Sequence, residues 1–277
     1  MFFNQAVRIA ALCLENRDKK KFLSKRKDYL ERMSQCMPQE RLDKILASQG
    51  IGSRREMHAA IRKGQVTVNG TVIRMPDAKA DPLQDRIQFM GKDLYYRKYL
   101  YLMMNKPAGV LSASRDPHAP TVIDLVPPEF SRRGLFPAGR LDKDTEGFVL
   151  ITDDGELAHR ILSPKKEIEK CYVAKLKSIP TKEDILAFAD GIVFADGTLC
   201  RPAKLRLLED KCPMAEIRIQ EGMFHQVKRM FLARKNEVLW LKRTQIGGLS
   251  LDKDLKPGKC REITAEELSR IFERQNE

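Results

Sequence analysis

The apolar run Phe148-Val-Leu-Ile-Thr152 constrains this chain most, because turn signals hem it in on both sides. Continuous apolar residues of this length between turns suit a buried strand. Ahead of it lies the polar segment Pro137-Ala-Gly-Arg-Leu-Asp142-Lys-Asp-Thr-Glu-Gly147, and Asp153-Asp-Gly155 follows. Gly139 and Gly147 bracket the first turn and permit backbone angles that other residues resist. The turn therefore delivers one carboxylate, Asp142, to the end of a strand, flanked by the positive charges of Arg140 and Lys143. Such an acid is either a positioned nucleophile or a turn residue that satisfies nearby amides.

Two units flank the boundary expected in the polar stretch 91–97. In residues 41–90, Leu42, Ile45 and Leu46 recur at helical spacing, and Gly50 and Gly52 break the pattern. Ser53-Arg-Arg-Glu56 is a capping box that opens a second helix, with Met57, Ala60 and Ile61 inside and Gly64 at its C-cap. Asn69-Gly70 between Val66-Thr-Val68 and Thr71-Val-Ile73 signals a hairpin. The unit carries Arg41, Lys44, Arg54, Arg55, Arg62 and Lys63, which either contact phosphates or form a solvated basic face. Arg54 and Arg55 stand at a helix N-terminus, where backbone N–H groups also favour anions.

Residues 99–277 mix strands and helices irregularly. Strands are expected at 99–104, 168–175, 203–208, 215–219 and 237–241, and a hairpin at Asp196-Gly197. Helices are expected at 156–162, stopped by Pro164, from the Thr181 cap to Asp190, at 224–235, and after the Thr264 cap. Hairpins interleaved with helices argue for an α+β domain with a largely antiparallel sheet.

The chain carries 51 Lys and Arg against 38 Asp and Glu, a net charge of +13, which points to a polyanionic partner, nucleic acid ahead of a membrane surface. Its six cysteines form no Cys-x-x-Cys pair and its four histidines lack ligand spacing, so no metal is expected and a reducing cytosol fits. There is no P-loop or G-x-G-x-x-G, hence no support for a nucleotide cofactor, and no apolar stretch of about 18 residues that predicts a membrane span. Residues 1–36 are a charged extension in which positive charge follows the apolar region, unlike an export signal. They read as a basic arm, a flexible tail or a mis-assigned start with Met37 as the true one; the last two fit their thin apolar stripe better.

Gly139-Arg-Leu-Asp142 followed by Asp144-Thr-Glu-Gly147 resembles the catalytic segment of the pseudouridine synthases, in the branch that modifies ribosomal RNA. Further blocks extend the likeness from Arg41 to Glu267: Leu102-Met-Met-Asn-Lys-Pro-Ala-Gly109, Glu221-Gly-Met-Phe-His-Gln-Val-Lys-Arg-Met-Phe231, Arg243-Thr-Gln-Ile-Gly-Gly248 and Pro257-Gly-Lys-Cys-Arg261. The first unit resembles the S4 RNA-binding domain through Arg41-Leu-Asp-Lys44 and Val66-Thr-Val-Asn-Gly70. The resemblance implies an S4-like module followed by a synthase domain with a bent, mainly antiparallel sheet. It implies isomerisation of uridine to pseudouridine within RNA. Asp142 is then the essential residue, either adding to the base or assisting its departure from C1′. Lys228 is its cationic partner, with Arg229 as the fallback or a phosphate contact. Tyr172 stacks on the target base, and Arg140 fills the space that base vacates; without the resemblance Tyr172 reads as core and Arg140 as a salt bridge to Glu146 or Asp144. His225 and Gln226 orient Lys228, touch RNA or serve structure. Asn105 and Lys106 shape the cleft floor, and Asp144, Thr145 and Glu146 brace the turn.

The tracts Leu150-Ile-Thr-Asp-Asp-Gly155 and His225-Gln-Val-Lys-Arg-Met230 look closer to the small-subunit branch than to the large-subunit one. The expected partner is ribosomal RNA or a pre-ribosomal particle, and the expected state a monomer. A non-catalytic RNA-binding or ribosome-assembly protein is the competing class, and the joint presence of Asp142, Tyr172 and Lys228 speaks against it.

Overall fold

The computed structural model describes residues 39–132, 134–208 and 212–273. The charged extension at 1–36 lies outside them. The chain divides into two compact units between Tyr96 and Arg97.

In the first unit, helix α1 (Leu42–Ser48) buries Leu42, Ile45 and Leu46 against Met57 and Ile61 of helix α2 (Arg54–Arg62), with Val66 and Ile87 completing the core. Each such fully buried side chain contributes about 2 kcal/mol of hydrophobic free energy. The capping box is closed on both sides: Glu56 N donates to Ser53 Oγ at 3.3 Å and Ser53 N donates to Glu56 Oε2 at 2.6 Å. Strands β1 (Val66–Val68), β2 (Thr71–Ile73), β3 (Ile87–Phe89) and β4 (Lys92–Asp93) form a sheet of order β2-β1-β3-β4. Asn69 and Gly70 between β1 and β2 have φ of 52° and 81°, the left-handed pair that matches the twist of a tight hairpin.

The second unit is built on β5 (Tyr101–Lys106), β6 (Glu146–Thr152), α3 (Gly155–Leu162), β7 (Lys170–Leu176), α4 (Lys182–Asp190), β8 (Lys204–Leu207), β9 (Met214–Ile219), α5 (Gln226–Ala233), β10 (Val238–Ile246), β11 (Cys260–Glu262) and α6 (Ala265–Arg270). The sheet runs β8-β9-β7-β10-β6-β5-β11, with short strands Phe136–Pro137 beside β6 and Leu249–Ser250 beside β10. Among the strands of this sheet in the described residues, only the β10–β6 pair is parallel. This is the α+β, mainly antiparallel architecture expected.

The sheet centre is buried on both faces, which is why β6 reads as a continuous apolar run. Leu102, Met104, Val149 and Ile151 join Phe188 of α4 and Val227, Met230 and Phe231 of α5 on one side. Met103, Phe148 and Leu150 meet Leu157, Ala158 and Ile161 of α3 on the other. Most element ends shift by a residue or two from the sequence reading, and three of the differences bear on the site. Strand β5 continues through Asn105 and Lys106, because both side chains find carbonyl partners inside the fold. Strand β10 runs to Ile246 through Lys242 and Arg243, flanked by β7 and β6. Helix α5 starts at Gln226, since His225 takes a left-handed φ of 51°.

Candidate active site

The polar turn ahead of β6 is held from beneath by a buried ammonium. Lys106 is fully buried, and its Nζ donates to the carbonyls of Thr145 at 2.8 Å, Pro107 at 3.0 Å and Lys143 at 3.1 Å. Burial pushes its pKa down to about 8, against the opposing pull of Asp144, Asp142 and Glu146. Thr145 N donates to Asp142 O at 3.1 Å and Gly109 N to Lys143 O at 2.8 Å, while Leu141 N is tied to Ser112 Oγ at 3.1 Å. The backbone on both sides of Asp142 is therefore anchored. Gly147 ends the turn with φ 101°, and a Cβ there would lie 2.2 Å from Arg243 O, so only glycine lets β10 approach.

Asp142 keeps 26% of its side-chain surface, and its carboxylate accepts no hydrogen bond among the described residues. Two groups from the start of α5 face it, the His225 imidazole with Nε2 at 3.5 Å and the Lys228 ammonium with Nζ at 3.6 Å. Lys228 is shared. Its Nζ donates to both oxygens of the exposed Asp144, at 2.6 and 2.7 Å, and that hydrogen bond holds the Asp144 carboxyl below its ordinary range. Arg229, one residue on, points elsewhere: its guanidinium donates to Asp196 Oδ2 at 2.5 Å and stacks 3.8 Å from the centre of the Phe194 ring. Gln226 is buried and braces the preceding loop, accepting from Met223 N at 3.0 Å and donating to Glu221 Oε1 at 2.7 Å.

Tyr172 lies on β7 at 8% exposure, within the core cluster that also holds Leu141. Arg243 sits opposite it on β10. Arg243 is 4% exposed; its Nε donates to Phe148 O at 2.8 Å and its Nη1 to the Tyr172 hydroxyl at 3.4 Å, while Nη2 is buried with no hydrogen-bond partner among the described residues. One guanidinium thus links the strand that carries the turn to the tyrosine. Sequence reasoning placed Arg243 in a motif block but gave it no role; within the polar run Lys242-Arg-Thr-Gln245 nothing in the sequence signals that this cation is buried. Arg140 is exposed and forms no ion pair among the described residues, so the salt bridges to Glu146 and Asp144 are not made. No cluster of three or more His, Cys, Asp or Glu among the described residues could hold a metal ion.

The model of the RNA pseudouridylate synthase family matches residues 100–233, and that of the S4 domain residues 40–84. An uncharacterized RNA pseudouridine synthase of Bacillus subtilis, YtzG, is 46% identical over 237 residues, covering 85% of this chain and 99% of the relative. The chain belongs to the RNA pseudouridylate synthase family. Two other relatives of this synthase are named for opposite ribosomal subunits. Ribosomal small subunit pseudouridine synthase A of Escherichia coli is 39% identical, over 83% of this chain and 99% of its own length. Ribosomal large subunit pseudouridine synthase B of Bacillus subtilis is 38% identical, over 84% and 95%. A solved pseudouridylate synthase superposes with a TM-score of 0.58 at 35% identity, over 84% of this chain and 99% of that one.

The S4 domain of this pseudouridine synthase exposes all six basic residues expected to meet RNA: Arg41, Lys44, Arg54, Arg55, Arg62 and Lys63. Arg41 and Arg54 also hold the buried Asp43, and Lys44 pairs with Glu40 at 3.2 Å. Arg41, Arg54, Arg55 and His58 line one shallow pocket around that carboxylate.

Proposed function

We propose that this enzyme converts one specific uridine of ribosomal RNA to pseudouridine, with small-subunit RNA as its target. The observation that carries the reading is the state of Asp142: a carboxylate on an anchored turn, faced by the Lys228 ammonium and the His225 imidazole, with no hydrogen bond occupying its carboxylate oxygens among the described residues. The reaction breaks the N1–C1′ bond, turns the uracil and forms a C5–C1′ bond; a proton leaves C5 and N1 gains one. The base must first leave its stack, which costs a few kcal/mol, least for an unpaired nucleotide. Exposed Arg140 stands one position from Leu141 and has a planar guanidinium free to occupy the vacated space. The S4 domain's basic face offsets the cost through phosphate contacts. Asp142 then engages the sugar or base, and Lys228 stabilises its charge. Tyr172, its hydroxyl tied to Arg243, gives the freed uracil a flat wall to stay against.

Small-subunit RNA is favoured by the likeness of residues 150–155 and 225–230 to that branch; overall identities of 39% and 38% do not separate the two subunits. The test uses unmodified transcripts of both ribosomal RNAs. Pseudouridine is expected at one position of the small-subunit transcript, and Asp142→Ala abolishes it while RNA binding persists. Modification confined to the large-subunit transcript reverses the subunit assignment, and normal turnover by Asp142→Ala removes the role of that residue.

A further inference from the structure

Phe224 is 75% exposed, an unusual position for a phenyl ring on an anchored loop next to an active site. The loop is pinned on both sides of it. Met223 packs against the main core, and its amide is held by the buried Gln226, which also binds Glu221. His225, between them, adopts the left-handed conformation that non-glycine residues avoid unless the surroundings impose it. The outcome is that Phe224 stacks on the His225 imidazole, ring centres 3.8 Å apart and planes within 17°, leaving its other face to solvent. The same imidazole places Nε2 3.5 Å from Asp142. Phe224 is therefore separated from the reacting carboxylate by one ring, and the Lys228 ammonium faces that same carboxylate at 3.6 Å.

The geometry points to Phe224, backed by His225, as a stacking platform for the nucleobase next to the target uridine. This inference rests on the uridine-isomerising reading above. Swinging the target out deprives its neighbours of a stacking partner. An aromatic face held ready beside the cleft restores that contact for one neighbour without reading its identity. The surrounding positive charge suits the phosphate that joins that neighbour to the target. Purines, with the larger face, stack better there than pyrimidines. The imidazole behind the ring fixes its orientation, so little conformational freedom is lost on binding.

The test begins with the position modified in the ribosomal RNA transcripts, mapped for the wild-type enzyme. Each flanking nucleotide of a transcript fragment is then made abasic in turn. Dissociation constants are measured in an Asp142→Ala background, so that chemistry does not intervene. Phe224→Ala and Phe224→Leu are expected to weaken binding to intact RNA about 10-fold, and Phe224→Trp to bind as wild type. One of the two abasic RNAs is expected to weaken wild-type binding by the same factor, and Phe224→Ala to add nothing further on that RNA. Losses that multiply on both abasic RNAs, or Phe224→Ala binding intact RNA as tightly as wild type, overturn the platform. Absence of pseudouridine from both transcripts with the wild-type enzyme overturns the reading beneath it instead.

Discussion

Two aspartates show how one side chain is put to opposite uses. In the S4 domain, Asp43 is 1% exposed and saturated: Arg41 and Arg54 both donate to it at 3.0 Å, and His58 stands at 3.3 Å. Burial raises its pKa, but the hydrogen bonds from Arg41 and Arg54 outweigh that and hold it below the ordinary range. In the synthase domain, the Asp142 side chain is 26% exposed, the His225 imidazole and the Lys228 ammonium stand at 3.5 and 3.6 Å, and no donor among the described residues occupies its carboxylate oxygens. Both carboxylates are compensated in charge. Only the second keeps its lone pairs available, because the hydrogen bonds of Lys228 go to Asp144 and the turn is held by its backbone through Lys106. Coordination by hydrogen bonds, more than net charge nearby, separates an acid saturated by its partners from one whose lone pairs stay open.

The largest effect comes from exchanging the two. Asp142→Asn is expected to lower the single-turnover rate by at least about 10³-fold and to change stability by less than about 0.5 kcal/mol. Asp43→Asn is expected to cost the S4 domain about 2 kcal/mol, as charge-assisted hydrogen bonds to a buried acid are lost, and to leave the chemical step unchanged at saturating RNA. Denaturant melts and single-turnover kinetics read both; a rate loss for Asp43→Asn equal to that for Asp142→Asn would erase the distinction.

Lys228 sharpens it next. Lys228→Met is expected to slow the chemical step about 100-fold, since the charge that faces Asp142 disappears. Asp144→Asn, which removes an exposed partner, is expected to change the rate by no more than about 3-fold. The reverse order would mean that the ammonium serves Asp144 alone.

The smallest effect concerns a third acid, saturated like Asp43 but nearer the surface. Glu267 accepts from Arg261 at 2.7 and 2.9 Å and caps α6, which brings its pKa down to about 2 from the ordinary 4.5. Its folded-state pKa is depressed, so the stability it supplies is present above 4.5 and is lost as pH falls through about 2. Glu267→Gln is expected to cost about 1 kcal/mol at pH 7, and the gap from wild type to close over that window in thermal melts. A gap that persists at pH 2 would show that packing, not charge, is at stake.

Local chemistry was readable in advance where a few neighbouring residues complete it. The Ser53–Glu56 box, the Asn69-Gly70 turn and the Thr181 and Thr264 caps appear with the hydrogen bonds their residue types imply. The element ends at 106, 225 and 246 were not readable. Lys106 looks like a strand terminator until the carbonyls of Lys143 and Thr145, from a distant turn, join that of the adjacent Pro107 in receiving its ammonium. His225 looks helical until the loop beside Asp142 turns it left-handed. Arg243 looks like surface until two strands close over it. The resemblance named Asp142, Tyr172 and Lys228, but the preference of Lys228 for Asp144 and of Arg229 for Asp196 and Phe194 depends on contacts 84 and 33 residues apart in the chain.

The sequence alone determined the helices, caps and hairpins, the basic character of the S4 domain and the chemical types at the turn, because those follow from backbone preferences and short-range hydrogen bonds. The tertiary structure alone decided which cation faces which acid, which buried amine bears up the turn, and that a phenyl ring stands in solvent beside the cleft. Those outcomes depend on the desolvation and distance of groups that only the folded sheet brings together.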